Sequence, residues 1–420
     1  MPLPHGLRAF RHRDYRIFYA GKAVSQIGLW LQLIASSWLV YKLSGSAFLL
    51  GLASFALQIP FLVLGPLAGV WVDRHPKRRV LFVTQTCALL QAFAMFVLVG
   101  TGRIEPWHLI AGNLALGIVN AVDSPARQSF LVELVGGRED LPSAIAFSSA
   151  LMNGARFVGP MIGGAVIAGL GETWSYGISS GSFLAVLSSL WLIRAAPRAT
   201  EKSPAGWLAQ LAAGFRYAFG FLPSRCALLL VAAVSFAVQP YQSLAPWFAR
   251  EVFGGDSRTL GYLIAAGGIG AVSGMLYLAG RPSVRGLFRL MPVGGATAGA
   301  ALVGFAYSGS LWPALLLLYL VGMGAMLAAS STNMVLQTIV EDRMRARVLA
   351  IYAMSFLGAA PLGALTAGAL AERIGPPAAL AIGGGLALTA AALYWTQLRA
   401  IRLAIRPVYE ELGIAPRARR

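Results

Sequence analysis

The sequence predicts an all-α membrane protein with twelve transmembrane helices, and three observations support this. The 420 residues are 57% hydrophobic and only 12% charged, whereas soluble domains carry roughly 25% charged residues. Twelve apolar stretches run along the chain, and most reach the ~20 residues that a helix needs to cross a ~30 Å hydrocarbon core. Positive charge is concentrated in every second gap, because 27 of the 34 Lys and Arg residues lie in the termini and at the even-numbered gaps.

This charge asymmetry also predicts the orientation of the chain. Five basic residues fall in odd-numbered gaps, and two, Lys22 and Arg156, lie within apolar stretches. Loops rich in Lys and Arg stay on the cytoplasmic side. We therefore expect a multi-pass protein of the cell membrane (inner or plasma membrane), with both termini and the even-numbered gaps in the cytoplasm.

The individual helices follow from length and composition. β-Strands are excluded as spanning elements, because the stretches are too long and lack the alternation of a barrel strand. The 48 Gly residues permit the close packing that lipid-embedded helices need. The predicted spans are residues 17–41, 48–72, 79–100, 107–128, 143–170, 175–194, 226–249, 259–280, 286–307, 312–339, 347–371 and 377–398.

The longest hydrophilic interruption, from Arg194 to Arg225, divides the chain into six spans and six. It begins with a linker composition and continues as an amphipathic helix on the inner membrane surface. The apolar side of that helix is formed by Trp207, Leu208, Leu211, Phe215 and Phe219. The predicted organisation is an N-terminal six-helix bundle (1–194), a cytoplasmic linker with the amphipathic helix (195–225), a C-terminal six-helix bundle (226–399) and a basic cytoplasmic tail (400–420).

Composition and motifs exclude several classes of protein. The net charge of +18 is dispersed over short loops rather than gathered into one stripe, so nucleic acid is not an expected partner. Cys87 and Cys226 lie in or beside apolar runs and give no disulfide or metal framework. The sequence has no Walker loop and no metal-ligand spacing. We expect no enzymatic activity and no cofactor.

The second gap carries a recognisable motif. The sequence GVWVDRHPKRR, from Gly69 to Arg79, resembles the signature loop G-x-x-x-D-R-x-G-R-R of the major facilitator superfamily. Pro76 stands at the usual glycine position, which implies a different turn of equal tightness. The resemblance implies a fold of two pseudo-symmetric six-helix bundles around a central cavity.

The same resemblance implies a cytoplasmic gate. In the superfamily the aspartate of this loop bonds to the amino end of span eleven, where the helix dipole and unpaired N–H groups favour a carboxylate. Asp73, with Arg74, Lys77 and Arg78, inherits that role. The alternative is a basic loop that only sets the topology.

Spans five and eleven carry related glycine-rich segments. Span five reads GPMIGGAVIAG from Gly159, and span eleven reads GAAPLGALTAG from Gly358, as expected of a transporter built from internal repeats. The first segment resembles the antiporter signature of the superfamily. Proline bends a helix and glycine admits a close neighbour, so helix packing is assigned to Gly159, Pro160, Gly163 and Gly164.

A likeness to one branch of the superfamily extends over nearly the whole chain. The segments that carry it are FRHRDYRIFYAG near the start, DSPARQSFLVELV after span four, NGARFVGP in span five and EDRMRARVLAIY before span eleven. They resemble the transmembrane secretion effector family, which contains the enterobactin exporter and drug exporters. The resemblance implies export of siderophores or hydrophobic drugs against protons.

Arg156 is the deepest charged residue of the predicted spans. It lies about 13 residues into span five, or roughly 18–20 Å from the inner end. Ionised groups at such depth usually face a polar cavity or a partner. Asn153 and Ser149 share its helix face, and the alternative is a purely structural pair.

Lys22 and Asp123 both lie near the inner ends of their spans. Asp123 shares a face of span four with Asn113 and Asn120. Because spans one and four line the cavity in the major facilitator fold, we hypothesise that Lys22 and Asp123 pair at the cytoplasmic gate. The alternative is that Lys22 snorkels to inner headgroups.

Polar stripes on spans one, four, seven and ten, together with span five, define a candidate transport cavity. For any single member the alternative is an interhelical hydrogen bond. The candidate cavity residues are Ser25, Gln32, Ser36, Asn113, Asn120, Asn153, Arg156, Gln239, Tyr241, Gln242, Ser330 and Asn333.

One feature of many drug–proton antiporters is missing. They carry an acid in span one and an arginine early in span four, whereas this span one has no acid and Asn113 stands at the arginine position. No deep carboxylate offers an evident proton carrier, and Asp123 is the best candidate.

The sequence therefore predicts a secondary transporter that exports an amphipathic or hydrophobic small molecule by alternating access, with protons as coupling ion. Its partners are the substrate and membrane lipids, and we expect a monomer. Two alternatives stay open. One is a lysophospholipid flippase of the same fold, in which Arg156 and Lys22 would meet a phosphate, and the other is a membrane sensor that does not transport.

Overall fold

The computed structural model describes residues 5–135, 139–193, 207–281 and 283–411. A short 3₁₀ helix, His5–Arg11, precedes fifteen α-helices in this part of the chain, where no strand is found. The α-helices are α1 Arg13–Ser44, α2 Ala47–Asp73, α3 Lys77–Gly100, α4 Pro106–Leu134, α5 Leu141–Leu192, α6 Trp207–Gly220, α7 Leu222–Val238, α8 Pro240–Trp247, α9 Ser257–Ala279, α10 Leu287–Ala306, α11 Leu311–Ile339, α12 Asp342–Leu357, α13 Ala359–Ile374, α14 Pro376–Thr396 and α15 Leu398–Glu411.

The connection between α1 and α2 shows how local sequence ends one span and starts the next. Gly45 follows α1 with φ of 64°, and its N–H donates to the carbonyl of Tyr41 at 2.8 Å. Glycine adopts this left-handed conformation without strain. Ser46 then caps α2, because its hydroxyl accepts the N–H of Leu49 at 3.2 Å.

The predicted spans map onto these helices, with one pair merged. Within the described residues, eleven continuous helical stretches are long and apolar enough to cross a membrane. The longest, α5, contains Gly171 with φ of 85° and ψ of 169°, outside the helical region. Spans five and six lie on either side of Gly171, so the eleven stretches contain the twelve spans that the sequence predicts.

Spans seven and eleven are each interrupted within the membrane-spanning stretch. Span seven comprises α7, α8 and a π-helical turn, Phe248–Val252, with Pro240 and Pro246 in the chain. Span eleven comprises α12 and α13, which meet at Gly358. Proline lacks the N–H for an intrahelical bond, which accounts for the irregular helix of span seven.

The described residues fall into two compact units. The first is drawn from Met1–Ser203 and Ala245–Ala265, and the second from Pro204–Leu244 and Ala266–Arg420. In the first unit α1 packs along α5, α2 packs along α4, and α3 contacts both α4 and α5. In the second unit α10 packs against α11 and α14, and α7 contacts α12, α13 and α14.

Residues Ala245–Ala265 follow the linker in sequence but pack within the first unit. The hydroxyl of Tyr41 donates to the carboxylate of Glu251 at 2.9 Å. The hydroxyl of Ser257 donates to the carbonyl of Gly164 at 3.0 Å. A polar contact at each of two helices, α1 and α5, therefore holds this segment.

The predicted amphipathic elements lie outside the spans. Helix α6 begins at Trp207, and the rings of Phe215 and Phe219 stack with centroids 5.9 Å apart. The side chains of Trp207, Leu208 and Leu211, like the linker residues 195–206, lie outside the described part. The basic tail forms α15 as far as Glu411, with Ile401 and Ile405 buried on one side.

Candidate functional site

The first unit contains a cavity of about 280 Å³ between α1, α2, α4 and α5. Its lining combines two cations, several uncharged polar groups and a set of apolar side chains. The lining residues are Phe18, Lys22, Gln26, Leu29, Phe61, Asn120, Ser124, Arg127, Gln128, Leu131, Ser148 and Met152.

Lys22 projects from α1 toward α5. Its side chain is 5% exposed, and its ammonium donates to the hydroxyl of Ser148 at 2.8 Å. The helical repeat places Phe18, Gln26 and Leu29 on the same side of α1, which explains why this helix contributes one cation, one amide and two apolar groups to the cavity.

Asp123 and Arg127 lie one turn apart on α4 and form an ion pair. The carboxylate of Asp123 is fully buried and accepts two further hydrogen bonds from α3, from the hydroxyl of Thr84 and the amide of Gln85, each at 2.8 Å. Buried carboxylates need such compensation, because desolvation of an ion costs several kcal/mol. Asp123 therefore fixes Arg127 beside the cavity.

The hypothesised pair between Lys22 and Asp123 is not formed in this structure. The ion-pair partner of Asp123 is Arg127, and Lys22 donates to Ser148 instead. The carboxylate of Asp123 is already compensated by donors from α3 and α4, so it does not depend on Lys22. A gating role for either residue is still a prediction.

Several candidate cavity residues make helix-to-helix contacts. Gln32 is fully buried, donates to Gln91 at 2.6 Å and accepts from Ser179 at 3.1 Å. Ser36 donates to the amide oxygen of Asn113 at 3.0 Å. The polar atoms of Gln32 and Ser36 are therefore paired inside the first unit. Their contacts are interhelical hydrogen bonds, which is the alternative that the sequence left open.

Ser25 bonds within its own helix, whereas Asn113 bonds to a neighbouring helix. The hydroxyl of Ser25 is turned back to the carbonyl of Lys22 in its own helix at 3.1 Å. The amide of Asn113 donates to the carbonyl of Ala53 in α2 at 3.2 Å. We leave both, with Gln32 and Ser36, out of the proposed site.

Asn120, Asn153 and Arg156 retain access to the surface of the first unit. Asn120 lines the cavity, and the amide of Asn153 donates to the carbonyl of Ser149 at 2.8 Å. Arg156 is exposed. Arg156 follows Ser148 and Met152 at intervals of four residues along α5, so it lies on the side of that helix that faces the cavity. It is about two turns beyond Ser148.

In the second unit the predicted cavity residues divide into exposed and buried members. Gln242 is exposed and donates to the amide oxygen of Gln239 at 3.3 Å. Ser330 and Asn333 are half-buried on α11, where Gln337 donates to Asn333. Tyr241 is 3% exposed, with its hydroxyl over Gly267 of α9, so it packs inside the unit and we omit it.

The loop between α2 and α3 uses two of its basic residues to cap helices. The ammonium of Lys77 donates to the carbonyls of Val72 and Asp73 at 2.9 and 3.0 Å. Arg78 donates to the carbonyls of Leu190 and Trp191 at 2.7 and 3.0 Å. Helix carboxyl ends leave such carbonyls unpaired, so both residues stabilise the ends of α2 and α5.

The other two members of this loop present their side chains to the exterior of the unit. Asp73 and Arg74 are exposed, and Arg74 follows the last residue of α2. The predicted gate roles of Asp73, Arg74, Lys77 and Arg78 stay predictions.

The glycine-rich segment of α5 lies at tight helix contacts. A Cβ on Gly159 would come within 2.4 Å of the Trp30 ring, and one on Gly164 within 2.4 Å of the carbonyl of Ser257. A Cβ on Gly261 would likewise come close to the carbonyl of Pro160, and Gly163 faces Ile34 of α1. The segment therefore packs α5 against both α1 and the start of α9.

The sequence alone did not single out Arg127. It lies at the last turn of span four, where it is counted with the positive charge of the inner loop. The spacing of four between Asp123 and Arg127 was the available signal, because such pairs meet on a helix. Gln26, Ser148 and Phe61 gave no signal, since isolated polar and aromatic residues are common in spans.

The part of the chain that the structure describes contains no group of three His, Cys, Asp or Glu residues able to hold a metal ion. Twelve apolar spans, a polar cavity within one helical unit and a small-residue packing motif define a membrane transporter. The chain belongs to the transmembrane secretion effector family of the major facilitator superfamily, whose model matches residues 5–410.

Two characterised relatives are similar over most of their length. The Staphyloferrin A transporter of Staphylococcus aureus is 26% identical over 363 residues, 86% of this chain and 90% of that protein. The multidrug efflux pump Tap of Mycolicibacterium fortuitum is 28% identical over 390 residues, 90% of this chain and 94% of that protein.

Solved structures share the fold at low sequence identity. The nucleoside transporter NupG aligns with a TM-score of 0.72 and 14% identity, covering 92% of this chain and 99% of that one. A bacterial homolog of the human lysosomal transporter Spinster aligns with a TM-score of 0.67 and 18% identity, covering 97% and 98%. These likenesses confirm the fold class predicted from sequence, and the family model confirms the superfamily.

Proposed function

We propose that this protein is a secondary transporter that exports an amphipathic or hydrophobic small molecule by alternating access, driven by the proton gradient. The observation that carries the proposal is the cavity of the first unit, where cationic and polar groups adjoin an apolar wall between helices long and apolar enough to cross a membrane. Pockets for small molecules are mostly apolar with a few placed polar groups.

The relatives support the class of transport, and the efflux pump Tap also supports its direction. Their names describe a siderophore transporter and a multidrug efflux pump, and both align with nearly the full chain. An ion gradient is the proposed energy source because the sequence has no nucleotide-binding loop. The cytoplasmic location of both termini belongs to the same proposal.

The test is an accumulation assay in cells that lack other drug pumps. Cells that express the protein should accumulate less of at least one compound from a panel of anionic, neutral and cationic amphipathic compounds than cells with an empty vector. An uncoupler should abolish the difference. Equal accumulation across the panel, with the protein present in the membrane, would contradict export.

Arg156→Ala provides the matched variant. Because Arg156 lies on the cavity side of α5, its loss should reduce export about tenfold or more, the effect of one missing charged contact, at unchanged membrane level. Arg103→Ala, in an exposed loop, should export like the wild type. Wild-type export by the Arg156 variant would remove this residue from the transport path.

A further inference from the structure

Lys22 is almost fully buried, and in the part of the chain that the structure describes it has no carboxylate partner. Within the described residues its hydrogen bond is to the neutral hydroxyl of Ser148, and its side chain is 5% exposed. Charged groups inside a membrane are costly and normally pair with an opposite charge. The described part of the chain provides no negative partner for Lys22, so a bound molecule has to supply the counter-charge.

Asp123, the buried acid of α4, does not supply it. Asp123 is bonded to Arg127, Thr84 and Gln85, so its one negative charge compensates one of the two cations that line the cavity. The remaining polar groups of the lining, the amides of Gln26, Asn120 and Gln128 and the hydroxyl of Ser124, are neutral. The cavity therefore carries an excess of one positive charge.

We propose that the exported molecule carries an anionic group, a carboxylate or a phosphate, and that this group binds between the ammonium of Lys22 and the guanidinium of Arg127. The proposal rests on the proposed export function and specifies the substrate class. Arg127 presents several N–H donors suited to such an oxyanion. Asp123 is a positioning residue, because it acts on the anion through Arg127.

The size of the cavity indicates how much of the molecule it holds. A volume of about 280 Å³ corresponds to roughly nine water molecules at ~30 Å³ each, and cavities for drug-sized ligands span about 300–1,000 Å³. The cavity thus accommodates the anionic group and an adjoining fragment. Phe18, Leu29, Phe61 and Leu131 provide the apolar wall for that fragment.

The experiment compares two probes that share an apolar body. Binding of 1-pyrenebutyrate and of its neutral analogue 1-pyrenebutanol is measured by fluorescence, using the full-length protein in phosphatidylcholine nanodiscs. Wild-type protein should prefer the anion by about 10-fold to 100-fold, the range for a hydrogen-bonded charge. Lys22→Gln should remove that preference, since glutamine keeps a polar side chain but carries no charge.

Lys42→Gln is the matched control. Lys42 lies on the same helix but pairs with Glu172 at 2.7 Å, half-exposed and outside the cavity. This variant should keep the preference for the anion. The double variant Asp123→Asn with Arg127→Gln removes both members of the ion pair, so neither is left as an unpaired charge. It should weaken the preference without abolishing it, because Lys22 is retained while the N–H donors of Arg127 are lost.

Two competitors distinguish the sources of the anion. Displacement of bound 1-pyrenebutyrate by lysophosphatidylglycerol but not by citrate would assign the site to a lipid headgroup. Displacement by citrate would assign it to a soluble carboxylate. Equal binding of the two pyrene probes, or an unchanged preference in Lys22→Gln, would overturn the anion site.

Failure of the anion site and failure of export give different results. If a compound of the panel is still exported while the two pyrene probes bind equally, the anion site is wrong and the export function stands. If 1-pyrenebutyrate binds through Lys22 but no compound of the panel is exported, the export function is wrong and the binding site stands.

Discussion

The partners of a charged residue within a span depend on its neighbours in the folded bundle, as Lys22 and Asp123 show. Lys22 and Asp123 were expected to pair because both lie near the inner ends of cavity-lining spans. The structure pairs Asp123 with Arg127 on its own helix and gives it two donors from α3. A bond between residues four apart needs no helix packing, so it is available before the bundle forms.

Replacement of Asp123 by asparagine should destabilise the protein strongly. The amide can still accept from Thr84 and Gln85, but Arg127 loses its counter-charge in a mostly buried position. Removing one partner of a buried ion pair costs about 3–5 kcal/mol, and the partial exposure of Arg127, 24%, places the expected loss at about 2–4 kcal/mol. Thermal unfolding in detergent measures it.

The double variant Asp123→Asn with Arg127→Gln should recover much of that stability, because neither charge is left unpaired. Glu172→Gln is the control, because it removes the acid of the exposed ion pair between Glu172 and Lys42. The expected loss of stability is about 1 kcal/mol or less. An Asp123→Asn variant as stable as the Glu172→Gln variant would show that the buried pair contributes little.

At the scale of the helix, small residues decide which helices can meet. The segment from Gly159 to Gly164 packs α5 against α1 and the start of α9, and Gly28 of α1 brings its backbone close to Ser182. In a bilayer such contacts depend on close packing rather than on a hydrophobic drive between helices. A methyl group at these glycines would push the backbones apart.

Gly164→Ala should therefore destabilise the protein. The added Cβ would stand 2.4 Å from the carbonyl of Ser257, which is backbone and cannot rotate away. Overpacking of this kind costs about 1–3 kcal/mol, and the expected result is a lower thermal unfolding temperature and less protein in the membrane.

Gly169→Ala is the matched control for Gly164→Ala, because Gly169 lies on the same helix and a methyl group added there would meet no atom within 4 Å. This variant should unfold at the wild-type temperature. If the two variants have the same stability, the contact between α5 and the start of α9 is not tight.

At the scale of the whole molecule, the distribution of Lys and Arg predicts the topology. Arg79, at the start of span three, and Arg343, in an even-numbered gap, are expected on the same side as both termini. Arg103, in an odd-numbered gap, is expected on the opposite side. The physical reason is that loops rich in Lys and Arg are retained in the cytoplasm during insertion.

Cysteine labelling measures this prediction after Cys87 and Cys226 are replaced by serine. Arg103→Cys should react with an impermeant maleimide in intact cells, whereas Arg79→Cys and Arg343→Cys should react only after the membrane is permeabilised. Each variant first needs wild-type membrane levels, since altered charge can shift topology. Reaction of Arg79→Cys in intact cells would show that the orientation is the reverse of the predicted one, and would contradict the proposed roles that depend on it.

The sequence by itself determined the class of fold, the twelve spans and the family. The length of an apolar stretch determines whether it spans the membrane, and the distribution of Lys and Arg determines its orientation. Neither depends on which helices become neighbours. The packing role of the glycines in span five follows equally from composition. The division of α5 into spans five and six is likewise correct, because the two spans flank Gly171, where the backbone leaves the helical region.

Only the tertiary structure decided which polar residues face a cavity. Gln32, Ser36 and Asn113 share helix faces with plausible cavity residues, yet they bond across helices inside the first unit. Arg127 went unnoticed at the end of its span, yet it borders the cavity beside Lys22. A helical repeat fixes the face of a residue, whereas the neighbour on that face depends on packing between helices distant in sequence.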